Sequence, residues 1–238
     1  MTTSGTTAFN LDLNDLVEEA FERCGKELRT GYDLRTARRS LNILTIEWAN
    51  RGINLWTIEQ GSIPMVTGQS TYDLPIDTID LLDHVVRTGT GQNQVDINIS
   101  RISESTYSTI PTKNALGRPI QVWINRQSGA TYPGTGVNNP KIVVWPTPNA
   151  PGDQYTFVYW RLRRIQDAGN GTTTPDIPFR FIPAMVAGLA FYLSQKLPDM
   201  DINRAAGLKA EYEQQFQLAA DEDREKAPVR FVPRQIFY

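Results

Sequence analysis

Apolar residues recur at helical spacing near both ends of the chain and at strand spacing in the middle, which predicts helices flanking a strand-rich centre. Leu13, Leu16, Val17, Ala20, Phe21, Cys24 and Leu28 recur at the three- and four-residue intervals of one helix face. Asp12 or Asn14 can cap that helix, and Asp15, Glu18 and Glu19 lie near the positive end of its dipole. A second helix is expected from about Leu34 to Ala49, buried through Leu34, Ala37, Leu41, Leu44, Ile46 and Trp48 and stopped near Gly52.

From Asn54 the runs shorten. LWTIEQGSIPMV, QSTYDLP and LLDHVVRT read as strands punctuated by Gly61, Gly68, Pro75 and Gly89. Alternation from Val95 to Ile99 predicts another strand. RISESTYSTI then predicts a short helix around Ser103 to Ile110, with a serine cap. PIQVWINR, KIVVWP and QYTFVYWRLRRI follow as three more strands, separated in part by a Gly/Pro/Asn-rich loop, Ser128 to Asn139.

Helices resume near Pro178. The stretch containing Phe181, Ile182, Met185, Val186, Leu189, Phe191, Tyr192 and Leu193 is apolar on more than one face, the mark of a central helix or a subunit contact. Pro198 and Asp199 end it. A final helix, from Ile202 to about Arg224, carries the narrower stripe Ile202, Ala205, Leu208, Tyr212, Phe216 and Ala219, with Lys209 and Glu213 outside. Beyond it, Pro228 and Pro233 exclude a regular helix and favour an extended path.

Composition narrows the function. At 238 residues, 40% hydrophobic and 21% charged, the chain has the makeup of an ordinary globular protein. Its net charge of −2 gives no support for a surface that grips nucleic acid throughout. No segment reads as a signal peptide or a membrane span, so a cytosolic product, or one assembled from the cytosol, is expected. Cys24 is the single cysteine and His84 the single histidine, which leaves no cysteine–histidine metal cluster. Strand alternation would place Leu82, His84 and Val86 on one face, where a lone histidine reads as structural. DMDIN, from Asp199 to Asn203, opens like a calcium loop. It lacks glycine at the sixth position and an acid at the twelfth, Ala210, and so reads better as a helix cap. Neither a phosphate loop nor a GxSxG motif occurs. Trp48, Trp56, Trp123, Trp145 and Trp160 are expected mostly in cores rather than on a stacking platform.

The segment from Leu11 to Pro75 resembles the N-terminal half of the head-to-tail adaptors of short-tailed phages, tail tubular protein A among them. Ala20, Gly25, Leu41, Asn42, Trp48, Gly52, Leu55, Trp56, Gly68, Tyr72, Leu74 and Pro75 carry the resemblance. It implies an α+β fold: a helical bundle from the N- and C-terminal segments, an inserted antiparallel β-sandwich or barrel, and an extended C-terminal tail. The expected divisions are 1–53, 54–176, 177–225 and 226–238. The resemblance also implies a non-enzymatic virion protein, assembled in the host cytoplasm, without cofactor or metal. It would form a twelve-fold ring beneath the portal protein and above the next tail or nozzle protein. Genomic DNA would pass through the lumen during retention and ejection, without sequence-specific binding, and no membrane would be engaged.

Several residues are candidates for these contacts. In the tail, Val229, Phe231, Ile236 and Phe237 are candidate portal anchors, Arg230 and Arg234 their charged neighbours, and Val232 and Tyr238 complete the set. Phe181, Met185, Leu189 and Tyr192 are candidates for subunit–subunit contact. Arg35, Arg38 and Arg39 form a candidate basic cluster facing the lumen or a partner. The rival readings are a tail-associated polysaccharide hydrolase and a carbohydrate-binding baseplate module. The first predicts clustered carboxylates in an aromatic cleft, and the second an exposed aromatic cluster on the β insertion beside the Ser128–Asn139 loop.

Overall fold

The structure is a computed structural model that describes residues 4–7, 9–29, 31–52, 55–126, 131–132, 136–137, 139–151 and 154–224. In chain order its elements are α1 (Leu13–Arg23), α2 (Gly31–Arg51), β1 (Ile58–Pro64), β2 (Thr71–Asp73), β3 (Thr78–Thr88), β4 (Val95–Asn98) and β5 (Ser100–Ile102). Then come α3 (Glu104–Ser108), β6 (Leu116–Gly117), β7 (Gln121–Asn125), β8 (Thr131–Tyr132), β9 (Gly136–Val137), β10 (Lys141–Trp145), β11 (Thr147–Pro148) and β12 (Tyr155–Arg163). The last two are α4 (Ile182–Ser194) and α5 (Ile202–Glu222). The fold is α+β, and the chain divides into a helical unit, Met1–Leu55 with Ile165–Tyr238, and a β unit, Trp56–Arg164.

The boundary falls at 164 rather than at 176, because Ile165–Asp176 is bonded into the helical unit. The first amides of a helix lack intrahelical acceptors. Here the Leu13 amide donates to the Thr173 carbonyl (3.1 Å) and the Asn14 amide to that of Gly171 (3.0 Å). Asp12 supplies the expected cap, its carboxylate accepting from the Asp15 amide at 2.9 Å. The Ala168 amide donates to Asn42 Oδ1 at 2.8 Å, tying the same segment to α2.

In the helical unit, α4 packs against α1, α2 and α5 and is buried on nearly every side. Small residues allow the close approach. A Cβ added at Gly188 would stand 2.9 Å from Leu44 Cδ2 and from Tyr212 Cε2. Trp48 sits at the centre, its ring 5.5 Å from those of Phe181 and Phe216 and its Nε1 donating to the Tyr212 hydroxyl at 2.9 Å. The stripes of α1 and α2 are buried largely as expected, but two residues assigned to cores are not. Ile46 is 52% exposed and Ile202 is 83% exposed. Ile46 lies on the side of α2 opposite Leu41, Leu44 and Trp48; Ile202 is the first residue of α5.

The β unit holds two four-stranded sheets, ordered β1-β12-β3-β4 and β2-β10-β7-β5. Both are open, so the barrel alternative is excluded. The second is not wholly antiparallel, because β5 runs parallel to β7. One core cluster draws on both sheets, with Leu81, Val86, Phe157 and Tyr159 from the first and Tyr72, Val122, Ile124, Ile142 and Val144 from the second. In β3, Asp83 pairs with Trp160 but Leu81 with Arg161, so Leu82 is an inserted residue. Such a bulge reverses the alternation around it. Leu81 therefore enters the core while Leu82 faces out, away from the face it was expected to share with His84 and Val86. Of the five tryptophans only Trp48 is fully buried. The other four are half-buried.

Candidate interaction surfaces

Chemistry that could support a reaction is sparse. Cys24 is buried, its Sγ contacting the Ala190 carbonyl at 3.3 Å, and burial pushes its thiol pKa up despite nearby Arg204. Thiolate chemistry is thereby disfavoured. His84 stacks on Phe157, ring centroids 6.0 Å apart, and neither ring nitrogen finds a hydrogen-bond partner of ordinary geometry. Burial, and then the charge of Arg101, push its pKa below 6.5 and favour neutral imidazole. No group of three or more His, Cys, Asp or Glu side chains able to hold a metal occurs among the described residues. No described helix is long and apolar enough to cross a membrane. Asp201 caps α5, its carboxylate accepting from the Asn203 amide at 3.1 Å, which is the cap reading of DMDIN.

The carboxylates that do approach aromatics are held by arginines. Arg51 bonds Glu47 (Nε to Oε1, 2.7 Å) and Glu213 (Nη1 to Oε2, 2.7 Å), and its guanidinium lies over the rings of Phe216 and Tyr212, 4.5 and 5.0 Å from their centroids. The bond to Arg51 holds the Glu213 carboxyl below its ordinary pKa. Tyr192 donates to Glu47 Oε2 at 2.7 Å, and its pKa is pushed up to about 12 by burial and by that carboxylate. A glycosidase needs one carboxyl with a raised pKa to protonate the leaving group. A carboxyl clamped by arginine is the opposite. In the β unit, Arg161 bonds Asp77 (2.6 Å) and Glu59 (2.8 Å), and Arg163 approaches Glu59 at 2.6 Å. Burial raises the Asp77 pKa, but Arg161 more than offsets it and the net shift is down. A further pair, Arg180 with buried Asp223, sits at the end of α5, where Asp223 also accepts from the Leu55 amide at 3.1 Å.

The residues singled out from sequence fall in three different settings. Phe181, Met185 and Leu189 are buried in the unit's own core, while Tyr192 is half-buried on Glu47. The all-round apolarity of α4 is accounted for by α1, α2 and α5, without a neighbouring subunit. Arg35, Arg38 and Arg39 are exposed on the N-terminal half of α2. Arg38 donates to the Ala168 carbonyl at 2.9 Å, whereas Arg35 and Arg39 enter no ion pair among the described residues. The tail residues Val229, Arg230, Phe231, Val232, Arg234, Ile236, Phe237 and Tyr238 lie outside the described residues, as does most of the Ser128–Asn139 loop.

Two features escaped sequence reasoning. The Glu47–Arg51 spacing of four residues signalled the arginine clamp, but Glu213 comes from the far end of the chain. The outward apolar residues of α2, Ile43 and Ile46, were hidden because apolarity by itself points to a core.

No curated protein matches the chain. The family model of the SU10 adaptor protein matches residues 11–232. That match extends the adaptor resemblance of Leu11–Pro75 over nearly the whole chain, although the particular likeness to tail tubular protein A is no part of it. With its two-unit α+β architecture and a family match of this extent, the chain belongs to the SU10 adaptor protein family.

Proposed function

We propose that this phage adaptor is a structural subunit of the head–tail junction, which assembles as a twelve-fold ring beneath the portal and leaves a lumen through which the genome passes. The family match over residues 11–232 carries the reading. Three observations support it. Charged clusters are tied up in ion pairs rather than poised for catalysis. The net charge of −2 suits a conduit that lets DNA slide, since a strongly basic lining would retain it. The division into two units suits a helical bundle with an inserted β-sandwich. In this reading the tail from Val229 to Tyr238 is the portal arm, an apolar and basic segment that lies against the partner.

Co-purification with the portal of the same phage tests the proposal. The full-length chain is expected to bind, and a chain lacking 228–238 to stay folded by circular dichroism yet lose binding. Unchanged portal binding by the truncated chain would remove the tail from the contact.

A further inference from the structure

The outer face of α2 is unlike any other exposed helix surface of the unit. Tyr32, Arg35, Arg39, Ile43, Ile46 and Asn50 follow one another at intervals of three and four residues, which places them in one stripe on the side of α2 away from the core. All six are exposed, with Tyr32, Ile43 and Ile46 at 68%, 45% and 52%. The inner stripe of the same helix, Ala37, Leu41, Leu44 and Trp48, is fully buried. An amphipathic surface helix needs one apolar stripe. On α2 the outer stripe also carries apolar side chains, together with two arginines that have no ion-pair partner among the described residues.

The complement of that ridge lies elsewhere on the same unit. On α1, Asp15, Glu18 and Glu22 form an exposed stripe opposite Leu13, Val17 and Ala20, and none enters an ion pair among the described residues. Beside this stripe runs an open groove whose apolar walls come from Phe9, Leu11 and Val186, with Glu18 and Glu22 along its edge; Arg23 also lines it, its charge already met by Glu19 and Glu211. Phe9 is 76% exposed. One surface is apolar and basic, the other apolar and acidic. Most other arginines of the helical unit are already engaged, Arg23 with Glu19 and Glu211, Arg51 with Glu47 and Glu213, and Arg180 with Asp223.

We infer that the outer ridge of α2 docks into the α1–α4 groove of a second copy of this chain. The two patches differ, so the contact is heterologous: each copy offers a ridge to one neighbour and a groove to the other, the arrangement from which rings are built. Arg35 and Arg39 meet Glu18 and Glu22, and Ile43 and Ile46 bury against the apolar walls. The inference deepens the ring reading proposed above and rests on it. It also moves the subunit contact from α4 to α2 and α1.

A charge exchange tests it. Full-length chains are followed by sedimentation velocity up to roughly 0.5 mM, which reveals even a contact of millimolar Kd. The wild-type chain is expected to self-associate. The variant Arg35→Glu/Arg39→Glu and the variant Glu18→Arg/Glu22→Arg are each expected to associate at least about tenfold more weakly while keeping the wild-type Tm. Mixed in equal amounts, the two variants are expected to recover association, because a ridge of one and a groove of the other again present opposite charges or matched reversals to be scored against each variant alone. A mixture no better than its components would overturn the inference, as would reversals that leave association untouched or a wild-type chain that stays monomeric throughout. The adaptor reading is scored separately on the same samples by portal binding. A chain that binds portal but fails the exchange overturns only this contact, and one that neither self-associates nor binds portal overturns both.

Discussion

The two units solve the burial problem differently. The helical unit wraps three helices around α4, whose small residues bring neighbours close, and gathers Trp48, Phe181, Tyr212 and Phe216 into one aromatic knot. The β unit has no central element; its core is the layer of mostly aliphatic side chains that its two open sheets share. Their surfaces differ as well. In the β unit the exposed apolar residues Val66, Ile76, Leu82, Val95, Leu116 and Ile120 come from several different strands and loops, as on any soluble protein. In the helical unit, Ile43 and Ile46 line up with charges on one helix face. Aligned exposure of this kind marks a contact surface, and dispersed exposure does not.

The largest expected effect tests whether the units are separate. Trp48→Ala removes the centre of the aromatic knot and leaves the Tyr212 hydroxyl without its donor, at a cost of about 3–5 kcal/mol. Hydrogen exchange should show lost protection in α2, α4 and α5, with β10 and β12 still protected. Simultaneous loss in both units would show that they fold as one. Next come the arginine clamps. Arg51→Met takes the arginine from Glu213 and leaves Glu47 only the Tyr192 hydroxyl, and Arg161→Met takes it from Asp77 while Glu59 keeps Arg163; allowing for solvent around Asp77 and Glu213, each should cost about 1–2 kcal/mol in denaturant titrations. If Arg51→Met costs nothing, the clamp is ornamental.

A smaller effect is confined to the β unit. The folded-state pKa of His84 lies below 6.5, so its contribution to stability is complete above about pH 6.5 and is lost as the pH falls below that value towards the folded pKa. Between pH 6.5 and 5 stability should fall by at most about 1.4 kcal/mol per pH unit, and His84→Leu should flatten that slope. An unchanged slope would place the titrating group elsewhere. The smallest effect on stability is the most informative about surfaces. Ile46→Asp and Leu116→Asp should each alter the chain's own stability by less than about 0.5 kcal/mol. Only Ile46→Asp should weaken self-association.

Much of the fold was legible because local rules fixed it. The caps at Asp12, Ser103 and Asp201 and the buried stripe Leu13–Phe21 follow from spacing and side-chain chemistry alone. Three things were not. The bulge at Leu82 depends on β12, some 80 residues away in sequence. The parallel pairing of β5 with β7 is set by tertiary packing, which strand patterns do not encode. The return of Ile165–Asp176 to cap α1 joins segments separated by the whole insertion. The interaction surfaces were legible only in part. Arg35 and Arg39 stood out as a cluster. Ile46 was assigned to the core, because hydrophobicity reports that a residue needs a partner and not whether the partner is in the same chain.

The central claim is that this chain is a ring-forming adaptor seated on the portal. Native mass spectrometry of the full-length chain co-expressed with the portal of its phage tests it most directly. The account predicts a portal ring carrying twelve copies of the chain; a portal ring that flies without it would contradict the account.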